Sequence, residues 1–189
     1  MKELLYAIWR WVKWPFFVLA ALTLLFGVLV VWRGLVLVGE DETAADVARI
    51  HATRLTWADI NGTLPLEPDS VANNATLVGV DSNQNGIRDD VERAIYLKYK
   101  DNKRAVIAML QYAKELQMEF TEVYNSETLV AVIQEEGRGS LCILDNKKVD
   151  EVGKLVFNTK VRKEYQEEIF RKYMMSYGLP NTGECDITF

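Results

Sequence analysis

The sequence predicts an all-α protein: one N-terminal membrane-spanning helix followed by a helical domain. Three observations carry this. Trp14 to Trp32 is a run of nineteen residues without a charge. Beyond Glu42, apolar residues recur at intervals of three and four, the period of an amphipathic helix. Between the two strongest such stretches and the anchor lies a dodecapeptide, Asp81 to Glu92. Its oxygen-bearing side chains fall at positions 1, 3, 5, 9 and 12, with Gly86 at position 6.

The apolar run comes first. At a rise of about 1.5 Å per residue it spans roughly the 30 Å hydrocarbon core of a bilayer. Trp9, Trp11 and Trp14 lie at one end and Trp32 at the other, as interfacial aromatics do. Pro15 falls in the first turn, where a missing N–H costs little. Lys2, Arg10 and Lys13 precede the run; Arg33 follows it, and then Glu40-Asp41-Glu42. Positive charge stays inside, so the N-terminus is expected in the cytoplasm and the chain after about residue 40 outside. The run is long for a cleaved signal peptide, and no small-x-small cleavage site follows it closely. The expected organisation is a cytoplasmic tip and signal anchor over 1–39, with a periplasmic or extracellular domain over 40–189.

The chain carries a formal charge of −5. The anchor holds Lys2, Arg10, Lys13 and Arg33 against one acid, Glu3, so the remainder is more acidic still. That average repels a phosphate backbone and argues against a nucleic-acid partner. The two cysteines, Cys142 and Cys185, both fall on the expected outer side. In an oxidising compartment they are expected to pair, stabilising the fold by roughly 4 kcal/mol in the chain-entropy picture. The competing reading is two separate buried thiols.

The outer part follows in order. Glu42 to Ile60 reads as a helix with Val47, Ile50 and Leu55 on one side; His51 lies on it with no partner motif nearby. Asn61 to Val80 is irregular, rich in Pro, Asn and Gly. Asn61-Gly62-Thr63 and Asn74-Ala75-Thr76 match glycosylation sequons, a short pattern that arises often by chance. Val91, Ile95 and Tyr99 make one face of a helix ending near Lys100. After the Asp101-Asn102 break, Met109, Tyr112, Ala113, Leu116, Phe120 and Val123 form the clearest amphipathic helix, Asn102 to Tyr124. A further helix starts at Asn125-Ser126 and ends at Gly137 as its C′ residue. Gly137-Arg138-Gly139-Ser140 reads as a loop, and Leu141 to Leu144 as a short strand or buried turn. Asp145 to Phe157 is helical. Thr159 caps a last helix, stopped by Gly178 and Pro180. Its charges, Arg162 among them, read as a solvated face. No Gly-x-Ser-x-Gly, His-Glu-x-x-His, Cys-x-x-Cys or Walker pattern is present.

The dodecapeptide is the one segment whose spacing specifies a chemistry. Calcium is a hard cation that takes six to eight oxygens, and this is the ligand order of an EF-hand loop. Asp81, Asn83 and Asn85 each offer a side-chain oxygen, Ile87 its backbone carbonyl, Asp89 a direct or water-mediated contact, and Glu92 both carboxylate oxygens. Gly86 permits the sharp turn. Position 8, where such loops meet a sister loop, is Arg88 rather than an aliphatic residue, and the chain contains no second loop. The alternative is an Asx-rich turn with Asp89 or Asp90 as N-cap of the following helix.

The loop resembles the single calcium loops of dockerin and thrombospondin type 3 repeats. The single-pass N-terminus, Leu77-Val78-Gly79-Val80 running into the loop, and Cys142 and Cys185 around tyrosine-rich helices together resemble membrane-anchored proteins of bacteria with reduced genomes. That resemblance implies no particular activity. The sequence therefore leads to a membrane-anchored cell-envelope protein with a structural Ca2+ site, a binding or scaffold module for an envelope protein or glycan. The alternative is an envelope enzyme acting on glycan or peptide through carboxylates that the sequence does not assign.

Overall fold

The computed structural model describes residues 2–55, 64–143 and 145–174. Among these are seven helices and no strand: α1 (Lys2–Ala52), α2 (Ser70–Asn74), α3 (Asp89–Tyr99), α4 (Lys103–Thr121), α5 (Ser126–Cys142), α6 (Asn146–Val156) and α7 (Lys160–Tyr173). The chain divides into two compact units, Met1–Ala44 and Ala45–Phe189.

The first unit is a single helical rod. It supplies the one helix among the described residues that is long and apolar enough to cross a membrane, with a mean hydropathy of 2.5. None of that window is buried against the protein itself. The helix does not stop at Gly34 or Gly39, where open space surrounds both residues. Each glycine costs about 1 kcal/mol of helix propensity, too little to break a run otherwise built of Leu and Val. The sequence suggested a fresh helix from Glu42 to Ile60; instead α1 runs unbroken to Ala52. Residues 56–60 lie outside the described residues, as do Asn61, Gly178, Pro180 and the tail from Asn181 to Phe189.

The second unit is organised around α4, which packs on α3, α5 and α6, while α7 packs on α5. Its predicted stripe is buried: Met109, Ala113 and Leu116 join Val91 and Ile95 of α3 and Val152 and Val156 of α6. The opposite end of α4 turns Met118 into a second apolar cluster with Leu129 and Val132 of α5, Ile169 of α7 and Ile50 from the end of α1. Each such side chain contributes about 1.5–3 kcal/mol relative to exposure. Three N-caps stand where the sequence puts them. Asn102 accepts from the Ala105 N–H, Asn125 and Thr128 form a capping box, and Thr159 accepts from the Arg162 N–H. Each cap satisfies a backbone donor that the helix leaves open.

Two expectations fail here. The Gly137–Ser140 stretch is helical, and α5 runs on to Cys142. The reason is packing: a Cβ on Gly139 would collide with the Glu115 carboxylate of α4. This glycine leaves room for a side chain of α4 rather than making a turn, and Leu141 and Cys142, where a strand or buried turn was expected to begin, end the helix. Arg162 is not on a solvated face. It is fully buried, donating to the carbonyls of Asn73, Thr76 and Leu77 and to the side chains of Asn74 and Asn158. It thereby ties α7 to the irregular segment that leads into the dodecapeptide.

Candidate metal centre

The 81–92 loop is a tight turn leaning on the core. Ile87 is fully buried in the main apolar cluster, which seats the middle of the loop against α4. Gln84 and Gly86 have φ of 56° and 84°. These left-handed residues reverse the chain, and glycine meets that conformation without strain. At Gly79, just before the loop, φ is 74° and a Cβ would strike the Arg88 side chain and lie 2.7 Å from Asn73 Oδ1. The lead-in is therefore pinned as closely as the loop itself.

The side chains named from the sequence converge. Asp81 accepts the Gly86 N–H through Oδ2 at 2.9 Å, closing the turn. Its other oxygen, Oδ1, is enclosed and has no donor. Asn83 and Asn85 each donate an amide N–H to Glu92 Oε2, at 3.1 and 3.0 Å. Their own oxygens accept from the Asn85 and Ile87 N–H groups at 3.3 and 2.8 Å. Asp89 Oδ1 accepts from the Ser82 N–H at 3.0 Å, reaching back across the loop. Burial raises the Glu92 pKa above the usual carboxylate range; the two amide bonds oppose this, and the nearby Asp89 and Asp81 charges add to it. Asp81, Asp89 and Glu92 thus share one electrostatic environment within the twelve-residue loop. Ile87 is placed by its side chain and by its N–H.

The capping alternative fits less well. Arg88, not Asp89 or Asp90, occupies the N-cap position of α3, and it makes no side-chain cap bond. Asp89 is the first helical residue, and its carboxylate serves the loop. Arg88 does not point its charge at the loop. Its guanidinium is fully buried and donates to the Leu155 and Val156 carbonyls at the end of α6 and to Asp90. A cation there suits the negative end of that helix.

The donor set is suited to a hard cation but is not a cage of acids. Among the described residues, no three His, Cys, Asp or Glu side chains are gathered so as to hold a metal ion by themselves. A cation in this loop needs the amides too. At present each amide turns nitrogen, not oxygen, toward Glu92. A half-turn about the terminal torsion exchanges the two atoms in place. That rotation gives up the bonds to the Asn85 and Ile87 N–H groups, at about 0.5–1.5 kcal/mol each.

Two ionic clusters that the sequence did not signal lie elsewhere in the second unit. His51 of α1 sits 2.6 Å by Nδ1 from Glu135 of α5, which Arg54 and Arg138 also engage. Glu135 is buried and pairs with both guanidiniums. On the seam of α4 and α5, Glu119 is fully buried and accepts from Gln166 of α7 at 2.9 Å. Its remaining oxygen and Oε1 of Glu136 are enclosed without a donor. Burial lifts the pKa of Glu119 to about 7 and that of Glu136 well above the carboxylate range. His51 and Arg54 lie more than eighty residues from Glu135, and Gln166 lies 47 from Glu119, so no local pattern marks these clusters.

Cys142 ends α5, half-buried, and is not a free thiol. Cys185 lies outside the described residues.

No protein-family model, curated protein or solved structure matches this chain.

Proposed function

We propose that this chain is a membrane-anchored cell-envelope protein whose outer helical domain holds one structural Ca2+ in the 81–92 loop and contacts another macromolecule. The observation that carries the calcium reading is the division of labour at Asp81. One oxygen closes the turn on Gly86, while the other is enclosed, without a donor and in the shared field of Asp89 and Glu92. A carboxylate oxygen left in that condition costs about 1–3 kcal/mol or more unless a cation or water meets it. The ligands would be Asp81, Asn83, Asn85, the Ile87 carbonyl, Asp89 and Glu92. The amide rotations weigh against tight binding, so the affinity expected is that of extracellular modules, on the order of 10⁻⁴ to 10⁻³ M. Outside the cytosol such a site stays filled, and its role is constitutive.

The scaffold half of the reading is supported by Leu66, Val71 and Val161. They are 85, 78 and 64 % exposed and lie on segments next to those that Arg162 holds together. An envelope protein or glycan is the partner class. The enzyme alternative asks for facing carboxylates in a cleft. Glu119 and Glu136 are such a pair, but the groove beside α4, lined by Asn102, Arg104, Met109 and Lys148, includes neither. The proposed topology keeps the N-terminus in the cytoplasm and pairs Cys142 with Cys185 outside.

The test is thermal unfolding of the full-length protein in detergent micelles, titrated with millimolar calcium. Wild type is expected to gain several degrees by mass action. Asp81→Ala and Glu92→Gln are expected to gain nothing, while Asp90→Ala keeps the response. Magnesium is expected to substitute poorly, because a bidentate glutamate suits a larger shell. Identical responses from wild type and Glu92→Gln would reduce the loop to a turn.

A further inference from the structure

Loops of this class ordinarily come in pairs, joined through backbone hydrogen bonds at position 8. Here the same edge is already engaged. The Arg88 N–H donates to Gln117 Oε1 at 3.0 Å, and Gln117 Nε2 donates to the Gly86 carbonyl at 2.8 Å. Gln117 is 5 % exposed and stands on α4, thirty-one residues from Gly86. A carboxamide carries the same acceptor and donor as a peptide group, so one side chain supplies both halves of a backbone pairing. Arg88 completes the arrangement: because its guanidinium is tied to the end of α6, its backbone cannot swing away from Gln117.

We propose that Gln117 is the positioning residue of the calcium loop, its carboxamide standing in for the missing sister loop and setting the loop's affinity. The proposal rests on the calcium reading above. It explains how a lone loop keeps a binding-ready curvature. Gly86 and Arg88 flank Ile87, whose carbonyl is a proposed ligand, so bonds on both sides of that residue fix its peptide. It also closes the loop edge: with both groups engaged, a second copy of the chain has nothing there to pair with.

The experiment is a calcium chloride titration of the full-length protein in micelles, read on the Gly86 and Arg88 amide resonances below the melting temperature of each variant. Gln117→Met keeps the length and apolar contacts of the side chain and removes both bonds. Its Kd is expected to rise about tenfold, the worth of two modest hydrogen bonds. A residue that merely supports the fold would lower the melting temperature and leave the Kd of the folded protein unchanged, and that result overturns the proposal. If Gln117→Met does not fold, amide exchange in the wild type decides. Calcium is expected to slow exchange at Arg88 at least tenfold, and no change there overturns the proposal. Absence of any calcium response in the wild type fails the calcium reading itself, and is told apart by the unmoved amides of the loop before any variant is made.

Discussion

Glu119 and Glu136 face each other from α4 and α5 with Gln166 as the neutral donor from α7, while Glu115 and Tyr112 stand on the same seam. One proton held between the two enclosed oxygens relieves the repulsion of a doubly ionised pair. Both groups have folded pKa values raised above the unfolded value of about 4.3. Their stabilising contribution is therefore fully present below that value and is lost as pH rises, for Glu119 through about 7. Urea unfolding between pH 5.5 and 8.5 is expected to show a loss on the order of 1–3 kcal/mol. Glu136→Gln keeps a hydrogen bond without the charge and is expected to flatten the profile and raise stability at pH 8; a profile as steep as wild type would clear this pair. Arg162 is the other residue on which much depends. Arg162→Met strands four oxygen acceptors of the loop's lead-in, and a cost of about 3–5 kcal/mol is expected in the same assay.

At the scale of the elements, Gly137 and Gly139 make a matched pair within α5. Gly139→Ala forces the buried end of the Glu115 side chain to move and is expected to destabilise by about 1 kcal/mol, the low end of overpacking costs. Gly137 meets open space, and Gly137→Ala is expected to stabilise by up to about 1 kcal/mol through helix propensity alone. Equilibrium unfolding of the two variants side by side checks both signs. The pair also shows what the sequence could and could not reveal. The caps at Asn102, Asn125 and Thr159 and the stripe of α4 are local, within four residues, and were legible. The turn at Gly86 was legible for the same reason. A glycine that permits close approach looks the same as one that makes a turn until the neighbouring helix is known. Gln117 and Arg162 act on partners 29 and 89 residues away, and Glu119 and Glu136 meet from two different helices; only the folded chain identifies them.

At the scale of the molecule, an apolar rod and a bundle with its own core are joined within one helix. The proposed topology predicts that a tag after Phe189 is cleaved by protease added to intact cells, and protection of that tag would reverse the orientation. The proposed bridge predicts that the unreduced protein takes up no alkylating label at Cys142 or Cys185.

The last turns of α1 belong to the bundle: Ile50 is fully buried in the second cluster, and Arg49 pairs with Glu122 at 2.8 Å. The end of the long apolar helix is thus also part of the bundle's wall. A sheddase that cuts between Trp32 and Ala44 releases a domain with its wall intact. A cut at Thr53 leaves Ile50 behind with the anchor and opens the apolar cluster to water. Under the proposed topology, soluble release and survival of the domain are decided within the stretch between Trp32 and Ala45. Limited proteolysis should find that fragments beginning before Ala45 persist and those beginning after Ala52 are degraded.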